Sequence, residues 1–152
     1  MKRKLGEILI GKGLITQKQL EEALEEQKRT NEFLGAILLR ENEIKEKDLL
    51  TVLSEQFNIS FISLKDKYFD WDVVKTCSPN LILSHNCFPF KREDYCVTIA
   101  VTNPLDIEAI RKAEEEFKGL KLKLALVSRD DMKEAVRRYQ EHMQADIFKQ
   151  FE

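Results

Sequence analysis

The sequence is poor in the residues that build disulfide frameworks and metal sites. It has three cysteines and two histidines in 152 residues, and no two cysteines have the C-x-x-C spacing. This usage favours reduced, structural cysteines over disulfides or zinc ligands. In "SHNC", His85 lies two residues before Cys87, which suggests a base and its nucleophile, but catalytic pairs seldom form between sequence neighbours. We therefore expect structural thiols and no metal or other cofactor.

Long apolar runs and an excess of one charge are also absent. The longest apolar run, "FLGAILL", is much shorter than the roughly 20 residues of a membrane-spanning helix. The formal net charge of -2 disfavours a general binder of DNA, RNA or membrane surfaces. The N-terminal stretch "MKRKLGEILIGKGLI" lacks the cleavage site of a secretory signal. We therefore expect a cytoplasmic location without membrane insertion.

The chain does contain one segment that occurs twice. "KLGEILIGKGLITQKQLEEALEEQ", residues 4–27, is followed by "FLGAILLRENEIKEKDLLTVLSEQ", residues 33–56. Apolar residues recur at helical spacing in both copies. The pattern predicts two short helices in each copy, and hence a helical domain of four helices over residues 1–57.

Helix ends are marked in similar ways in the two copies. Gly13 and Asn42 occupy equivalent positions, and both residue types suit the left-handed conformation that closes a helix. Thr16, with Gln19 three residues later, predicts a capping box at the start of the second helix. The second copy has Lys45 instead of this threonine, so it lacks the cap.

Glycine and glutamine occur within the apolar faces of these predicted helices. Gly6 and Gly35 lie inside apolar helical patterns, where glycine costs about 1 kcal/mol relative to alanine. Either a neighbouring helix or a ligand must approach the backbone there. Gln27 and Gln56 continue the apolar faces, and partly buried amides need partners. Backbone carbonyls, helix ends or a ligand would satisfy them.

One segment matches a phosphate-binding motif only in part. "GEILIGKG", from Gly6 to Gly13, has the spacing G-x-x-x-x-G-K, but the next position is glycine where the motif requires serine or threonine. Too few residues precede it to form the strand that the motif follows. We therefore do not expect a nucleoside triphosphate there.

The pattern changes after residue 57 to short strands alternating with helices. The segments predicted as strands are 60–64, 87–91, 95–101 and 122–127. Short helices are expected at "DWDVV" and "PNLIL", and longer ones from Asn103 with Pro104 at its first position, and from Ser128. The fold class is therefore α+β, with a small α/β domain over residues 58–144, a sheet of three to four strands, and a tail over 145–152.

The doubled motif resembles a known family. L-G-x-x-apolar-apolar-x-x-G, followed by L-x-x-x-L-x-x-Q, occurs twice, as in the N-terminal domain of type II secretion and type IV pilus assembly ATPases. That domain is called MshEN in its cyclic-di-GMP-binding form. "YCVTIAVTNPLDIEAI" and "LVSRDDMKEAVRRY" are similar to the family's later strands and helices. The resemblance covers residues 3 to about 143.

The resemblance implies a ligand and a set of contacts. Cyclic-di-GMP is a two-fold dinucleotide, and each motif copy engages one half of it in the family. The implied contacts are Lys4, Leu5, Gly6, Leu9, Ile10 and Gln27 in the first copy, and Phe33, Leu34, Gly35, Leu38, Leu39 and Gln56 in the second. Arg3, for the phosphates, and Asp106 are secondary candidates.

Three residues differ from the family's pattern. Lys4 replaces an arginine that meets guanine, and lysine lacks the planar guanidinium fork. Phe33 is at the equivalent place in the second copy, where it can stack but cannot form an ion pair. Asn103 replaces the first aspartate of D-P-x-D, while Asp106 is retained and also suits a helix cap.

The implied function is regulatory and not enzymatic. We expect a cyclic-di-GMP-binding domain of a secretion or pilus ATPase, with the ATPase domain following if this chain is a fragment. The alternative is an adaptor without nucleotide, whose apolar face bearing Leu9 and Leu38 docks the ATPase onto the cytoplasmic part of an inner-membrane platform protein. Either function allows a peripheral position at the inner membrane through that partner.

Overall fold

The computed structural model describes residues 4–151. The chain divides between Asn58 and Ile59 into two compact units. None of the helices within 4–151 combines the length and hydropathy required to cross a bilayer.

The first unit consists of the four predicted helices. They are α1 (Leu5–Gly11), α2 (Gln17–Thr30), α3 (Leu34–Arg40) and α4 (Glu46–Phe57). Helix α1 packs on α4, and α2 packs on α3. Helices α1 and α3 are equivalent in the two copies, and so are α2 and α4. The contact of α1 with α4 is therefore equivalent to the contact of α3 with α2. The two copies are therefore packed as a pseudo-symmetric pair.

The predicted helix ends of this unit are confirmed. Gly13 and Asn42 adopt positive φ angles of 71° and 56°. At the start of α2, the backbone N–H of Gln19 donates to Oγ1 of Thr16 at 3.1 Å, and the N–H of Thr16 donates to Oε1 of Gln19 at 2.8 Å. Lys45, at the N-cap position before α4, makes no capping hydrogen bond with its side chain, as expected.

Glycine allows two helices to pack closely within each copy. A β-carbon added at Gly6 would lie 2.6 Å from Cδ1 of Leu20, and one added at Gly35 would lie 3.0 Å from Cδ2 of Leu49. Both distances are shorter than ordinary carbon–carbon contacts of 3.5–4.0 Å. Of the two explanations for these glycines, the structure supports helix packing, because the space of the missing side chain is filled by a leucine of the following helix.

The second unit is built on a four-stranded mixed sheet, which confirms the α+β class. Its strands are β1 (Ser60–Phe61), β2 (Cys87–Glu93), β3 (Cys96–Val101) and β4 (Lys121–Leu126), in the spatial order β1-β4-β3-β2. Strands β2 and β3 form an antiparallel hairpin, whereas β4 is parallel to both β3 and β1. The helices are α5 (Trp71–Thr76), α6 (Pro79–Leu83), α7 (Ile107–Glu116) and α8 (Arg129–Lys149).

Several boundaries in this unit differ from the prediction, among them the end of β1, the start of α7 and the end of α8. Strand β1 ends at Phe61, short of the expected residue 64. Helix α7 begins at Ile107, and not at Asn103 with Pro104, because Oδ1 of Asn103 accepts the N–H of Leu105 in a turn and Asp106 caps the helix instead. Residues 145–149, predicted as a tail, continue α8.

Phe69 lies at the centre of an aromatic cluster in the second unit. Its side chain is 0% exposed. The Phe69 ring centroid is 4.8 Å from that of Phe88, 5.7 Å from that of Trp71 and 6.3 Å from that of Phe90. The guanidinium carbon of Arg138 lies 3.8 Å from the Phe69 centroid, in cation–π geometry. This single side chain thus joins the sheet to α5 and α8.

The cysteines are free and structural, as predicted. Burial raises the pKa of the Cys77 and Cys87 thiols to about 12. The thiol of Cys87 donates to the backbone carbonyls of His85 and Ala109, at 3.6 and 3.7 Å. A thiol that is protonated and bonded to carbonyls is a poor nucleophile, so the His85–Cys87 pairing carries no chemistry.

Candidate functional site

The two motif copies each present one exposed side chain at the start of their first helix. Lys4 precedes α1 with φ -71° and ψ 152°, and Phe33 precedes α3 with φ -66° and ψ 143°. Neither side chain caps its helix. Both residues are exposed, Phe33 by 41%. These equivalent positions are therefore free to contact a molecule outside the protein.

Burial divides the twelve candidate residues into two groups. Those buried within the unit are Leu5, Gly6, Leu9, Gly35 and Leu38, and those at least partly exposed are Lys4, Ile10, Gln27, Phe33, Leu34, Leu39 and Gln56. A molecule on the surface of this unit can reach the second group. The first group forms the support beneath it.

The apolar docking face expected for an adaptor is not present at Leu9 and Leu38. Both side chains are 0% exposed. Each copy has a run of consecutive apolar residues in its first helix, and Leu9 and Leu38 are buried members of these runs. The prediction that these two leucines offer a face to a partner is therefore wrong.

Gln27 has a structural role in the connection between the copies. Its Nε2 donates to the backbone carbonyl of Glu32 at 3.1 Å. Of the partners considered for this amide, a backbone carbonyl is the one observed. Since Nε2 carries two hydrogens and Oε1 can accept, Gln27 retains hydrogen-bonding capacity for a second partner. Gln56 is partly exposed in the last turn of α4.

Several cations of this unit are held in ion pairs. Lys12 of α1 pairs with Glu55 of α4 at 3.1 Å. Arg40 pairs with Glu41 at 3.1 Å and with Glu26 of α2 at 3.5 Å. Within the described part of the chain, Lys4 makes no ion pair. Its ammonium is therefore available to an anion.

The cavity between α2 and α3 is unsuited to an anionic ligand. Its volume is about 180 Å³, and Glu22, Glu26, Glu41 and Glu43 are among its lining residues. A hydrogen bond from Arg29 lowers the pKa of Glu26 below its ordinary value, which keeps that carboxyl charged. Phosphates would be repelled from this cavity, so the exposed starts of α1 and α3 are the better candidate.

The secondary candidates are Arg3 and Asp106. Arg3 lies outside the described residues. Asp106 belongs to the second unit, where its Oδ1 accepts the backbone N–H of Ala109 at 3.1 Å and caps α7. Its role as a helix cap is therefore directly observed.

Metal coordination finds no support in the described residues. Within 4–151, no three histidine, cysteine, aspartate or glutamate side chains are arranged to hold a metal ion.

Sequence reasoning missed a groove along α8 in the second unit. The α8 groove has a volume of about 350 Å³ and is lined by Leu83, Asn86, Thr102, Arg129, Met132, Lys133, Val136, Arg137 and Gln140. The sequence does carry a signal for it, because Arg129, Lys133 and Arg137 are spaced four residues apart. Residues four apart are neighbours on a helix surface.

Relatives with known structures share this fold. A structure described as MshE with cdg has a TM-score of 0.82 at 24% identity, covering 90% of this chain and 99% of that one. The N-terminal domain of XpsE has a TM-score of 0.71 at 16% identity, covering 91% of this chain and 98% of that domain.

The type IV pilus assembly ATPase PilB of Myxococcus xanthus is 29% identical over 139 residues. That alignment covers 91% of this chain and 24% of PilB, so the chain spans about a quarter of this relative's length.

The family model of the MshEN domain matches residues 57–146. The matched range is more than half of the chain and contains all four strands of the sheet. This chain belongs to the MshEN domain family.

Proposed function

We propose that this chain is a regulatory domain that binds cyclic-di-GMP through residues 4–56. The observation that carries the proposal is the pseudo-symmetric packing of the two motif copies, with α1 on α4 and α2 on α3. A two-fold dinucleotide is complementary to two equivalent surfaces held in a fixed relation. The solved structure of MshE with cdg (cyclic-di-GMP) supports the choice of ligand.

The proposed side-chain contacts are those of the predicted site residues that are at least partly exposed. Lys4 faces one guanine and its phosphate, and Phe33 stacks on the other base. Ile10, Leu34 and Leu39 give apolar contact, and the amides of Gln27 and Gln56 supply hydrogen bonds. The buried residues Leu5, Gly6, Leu9, Gly35 and Leu38, which are also predicted contacts, hold the two helix starts in place.

The proposed biological role is control of a cytoplasmic secretion or pilus ATPase. Binding to both copies at once favours the arrangement in which α1 and α3 present Lys4 and Phe33 together. A ligand can shift a conformational equilibrium only by its difference in affinity for the two states. Regulation therefore requires that an attached ATPase domain distinguish the liganded from the free arrangement.

Calorimetry with cyclic-di-GMP tests the proposal. We expect one ligand to bind one chain, because both motif copies lie in one polypeptide. GMP, which offers one base and one phosphate, is the control, and it should bind more weakly. A stoichiometry of one ligand per two chains, or no heat of binding, would contradict the proposal.

Replacing Lys4 by arginine should strengthen binding. Arginine adds a planar group that stacks on guanine and donates two parallel hydrogen bonds. The expected gain is about 0.5–2 kcal/mol, the range of cation–π contacts from exposed to desolvated settings, or about two- to thirty-fold in the dissociation constant. Calorimetric titration of both proteins at one fixed salt concentration measures it.

The matched control for this change is Lys18→Arg. Lys18 is exposed on α2 and is not among the proposed contacts. Its replacement should leave the dissociation constant unchanged. Equal affinities for the parent and Lys4→Arg would remove Lys4 from the site.

A further inference from the structure

The α8 groove of the second unit combines positive charge with an apolar floor. Three of its lining side chains are the cations Arg129, Lys133 and Arg137, and none of the described lining residues is acidic. The chain as a whole has more acidic than basic residues, 27 against 25. A recess lined by one sign of charge concentrates the electrostatic field. The groove is therefore a local positive site on a slightly negative protein.

The cations of the groove differ in their ion pairs. Arg137 forms ion pairs with Glu134 and Glu141 of its own helix, so part of its charge is neutralised. Among residues 4–151, the ammonium of Lys133 forms no ion pair. Lys133 also lies between Arg129 and Arg137 in the row. It is the position where an incoming carboxylate gains most, because no existing ion pair has to be broken.

Apolar side chains lie beside this row. Leu83, at the end of α6, is 47% exposed, and Val136 of α8 is partly exposed. Met132 is buried beneath them. Water therefore covers apolar surface next to the cations, and a partner with an acidic stripe and an adjacent apolar stripe would satisfy both.

The arrangement of the cations favours a helix as the occupant. Arg129 and Arg137 are eight residues apart, which corresponds to about 12 Å along a helix axis at 1.5 Å per residue. A small anion would be held by converging cations, whereas this row is extended. Acidic side chains spaced four apart on a second helix would follow the same row.

A membrane surface fits the groove less well. A bilayer presents a flat face, and the groove is a recess. Each basic residue near an anionic membrane contributes about 1 kcal/mol, and three such residues give too little for stable attachment.

We propose that the α8 groove binds an acidic amphipathic helix of a partner protein. The carboxylates of that helix face Arg129, Lys133 and Arg137, and its apolar side covers Leu83 and Val136. This site lies in the second unit and shares no residue with the proposed cyclic-di-GMP contacts, which all lie in residues 4–56.

The test uses a synthetic helical peptide as the probe. The labelled peptide has glutamates four residues apart with leucines on the adjoining face, and an isomer of identical composition has its glutamates distributed around the helix. Fluorescence anisotropy is measured with the whole chain at low and at high salt. We expect the striped peptide to bind, more tightly than the isomer and less tightly at high salt.

Two charge reversals locate the interaction. Lys133→Glu should weaken binding of the striped peptide by about tenfold or more, because it sets a like charge in the centre of the row. Lys118→Glu makes the same change of net charge at an exposed position outside the groove, and its affinity should equal that of the parent. Circular dichroism melting verifies that both variants are folded.

Several results would overturn the proposal. These are no binding of the striped peptide, equal binding of the isomer, or equal losses in the two variants, which would indicate an effect of net charge alone. The same holds if the peptide fails to bind while vesicles of equal parts phosphatidylserine and phosphatidylcholine bind in a Lys133-dependent way. That last result would identify a membrane contact instead.

Discussion

Phe33→Ala is expected to weaken cyclic-di-GMP binding by about 1–3 kcal/mol, the range for loss of one base–aromatic stack, or roughly 5- to 150-fold in the dissociation constant. Phe33 is 41% exposed and precedes α3 in an extended conformation. Its ring is thus available to a base, and its removal leaves no cavity in the core. Isothermal titration calorimetry with the parent and the variant measures the loss.

Leu24→Ala is the matched control for Phe33. Leu24 is 39% exposed in the same unit and is not a proposed contact. Its truncation removes a comparable exposed apolar side chain, so it should leave affinity unchanged. Phe33→Tyr keeps the aromatic face and should bind nearly as well as the parent. If Phe33→Ala and Leu24→Ala weaken binding equally, Phe33 does not stack on the ligand.

Phe69→Ala is expected to destabilise the second unit by about 3–5 kcal/mol, the usual cost of truncating a buried phenylalanine. Phe69 is 0% exposed, and its ring lies among those of Trp71, Phe88 and Phe90. The truncation removes all of these contacts and the cation–π contact of Arg138. Such a cavity cannot collapse easily between a sheet and two helices.

Chemical denaturation followed by tryptophan fluorescence measures this change. The chain has one tryptophan, and the Trp71 ring centroid is 5.7 Å from that of Phe69, so the signal reports on the affected unit. Tyr68→Ala is the control, because Tyr68 is the preceding residue and is 83% exposed. Its effect should stay within about 0.5 kcal/mol. A loss of less than about 1 kcal/mol for Phe69→Ala, below the range for core truncations, would contradict the assigned role.

Local patterns were sufficient to predict the helices of the first unit. Each of these helices begins or ends at a residue with a specific backbone preference, such as Thr16, Gly13 or Asn42. These signals act within a few residues, so they can be read without knowledge of the tertiary structure. The start of α7 shows their limit. Asn103 followed by Pro104 is typical both of a helix start and of a turn, and here the turn forms.

Which apolar residues face the core could not be predicted in the same way. The first helix of each copy has apolar residues on several adjoining sides, among them Leu9 with Ile10, and Leu38 with Leu39. The helices that pack on it determine which member of each pair is buried, and those contacts are distant in sequence. The end of α8 was missed for a related reason. Ile147 and Phe148 are exposed, and no glycine or proline marks the helix end.

The packing of α1 on α4 and of α2 on α3 gives the first unit the arrangement of a symmetric dimer within one chain. The two halves are not identical in sequence, and their ion pairs differ. Lys12 and Glu55 form a simple pair, but the equivalent residues on the other side are Glu41 and Glu26, two like charges that contact Arg40 instead. Lys4 and Phe33 are unequal in the same way. A two-fold ligand would therefore meet one cationic and one aromatic half, and its two chemically identical bases would become distinguishable in the complex.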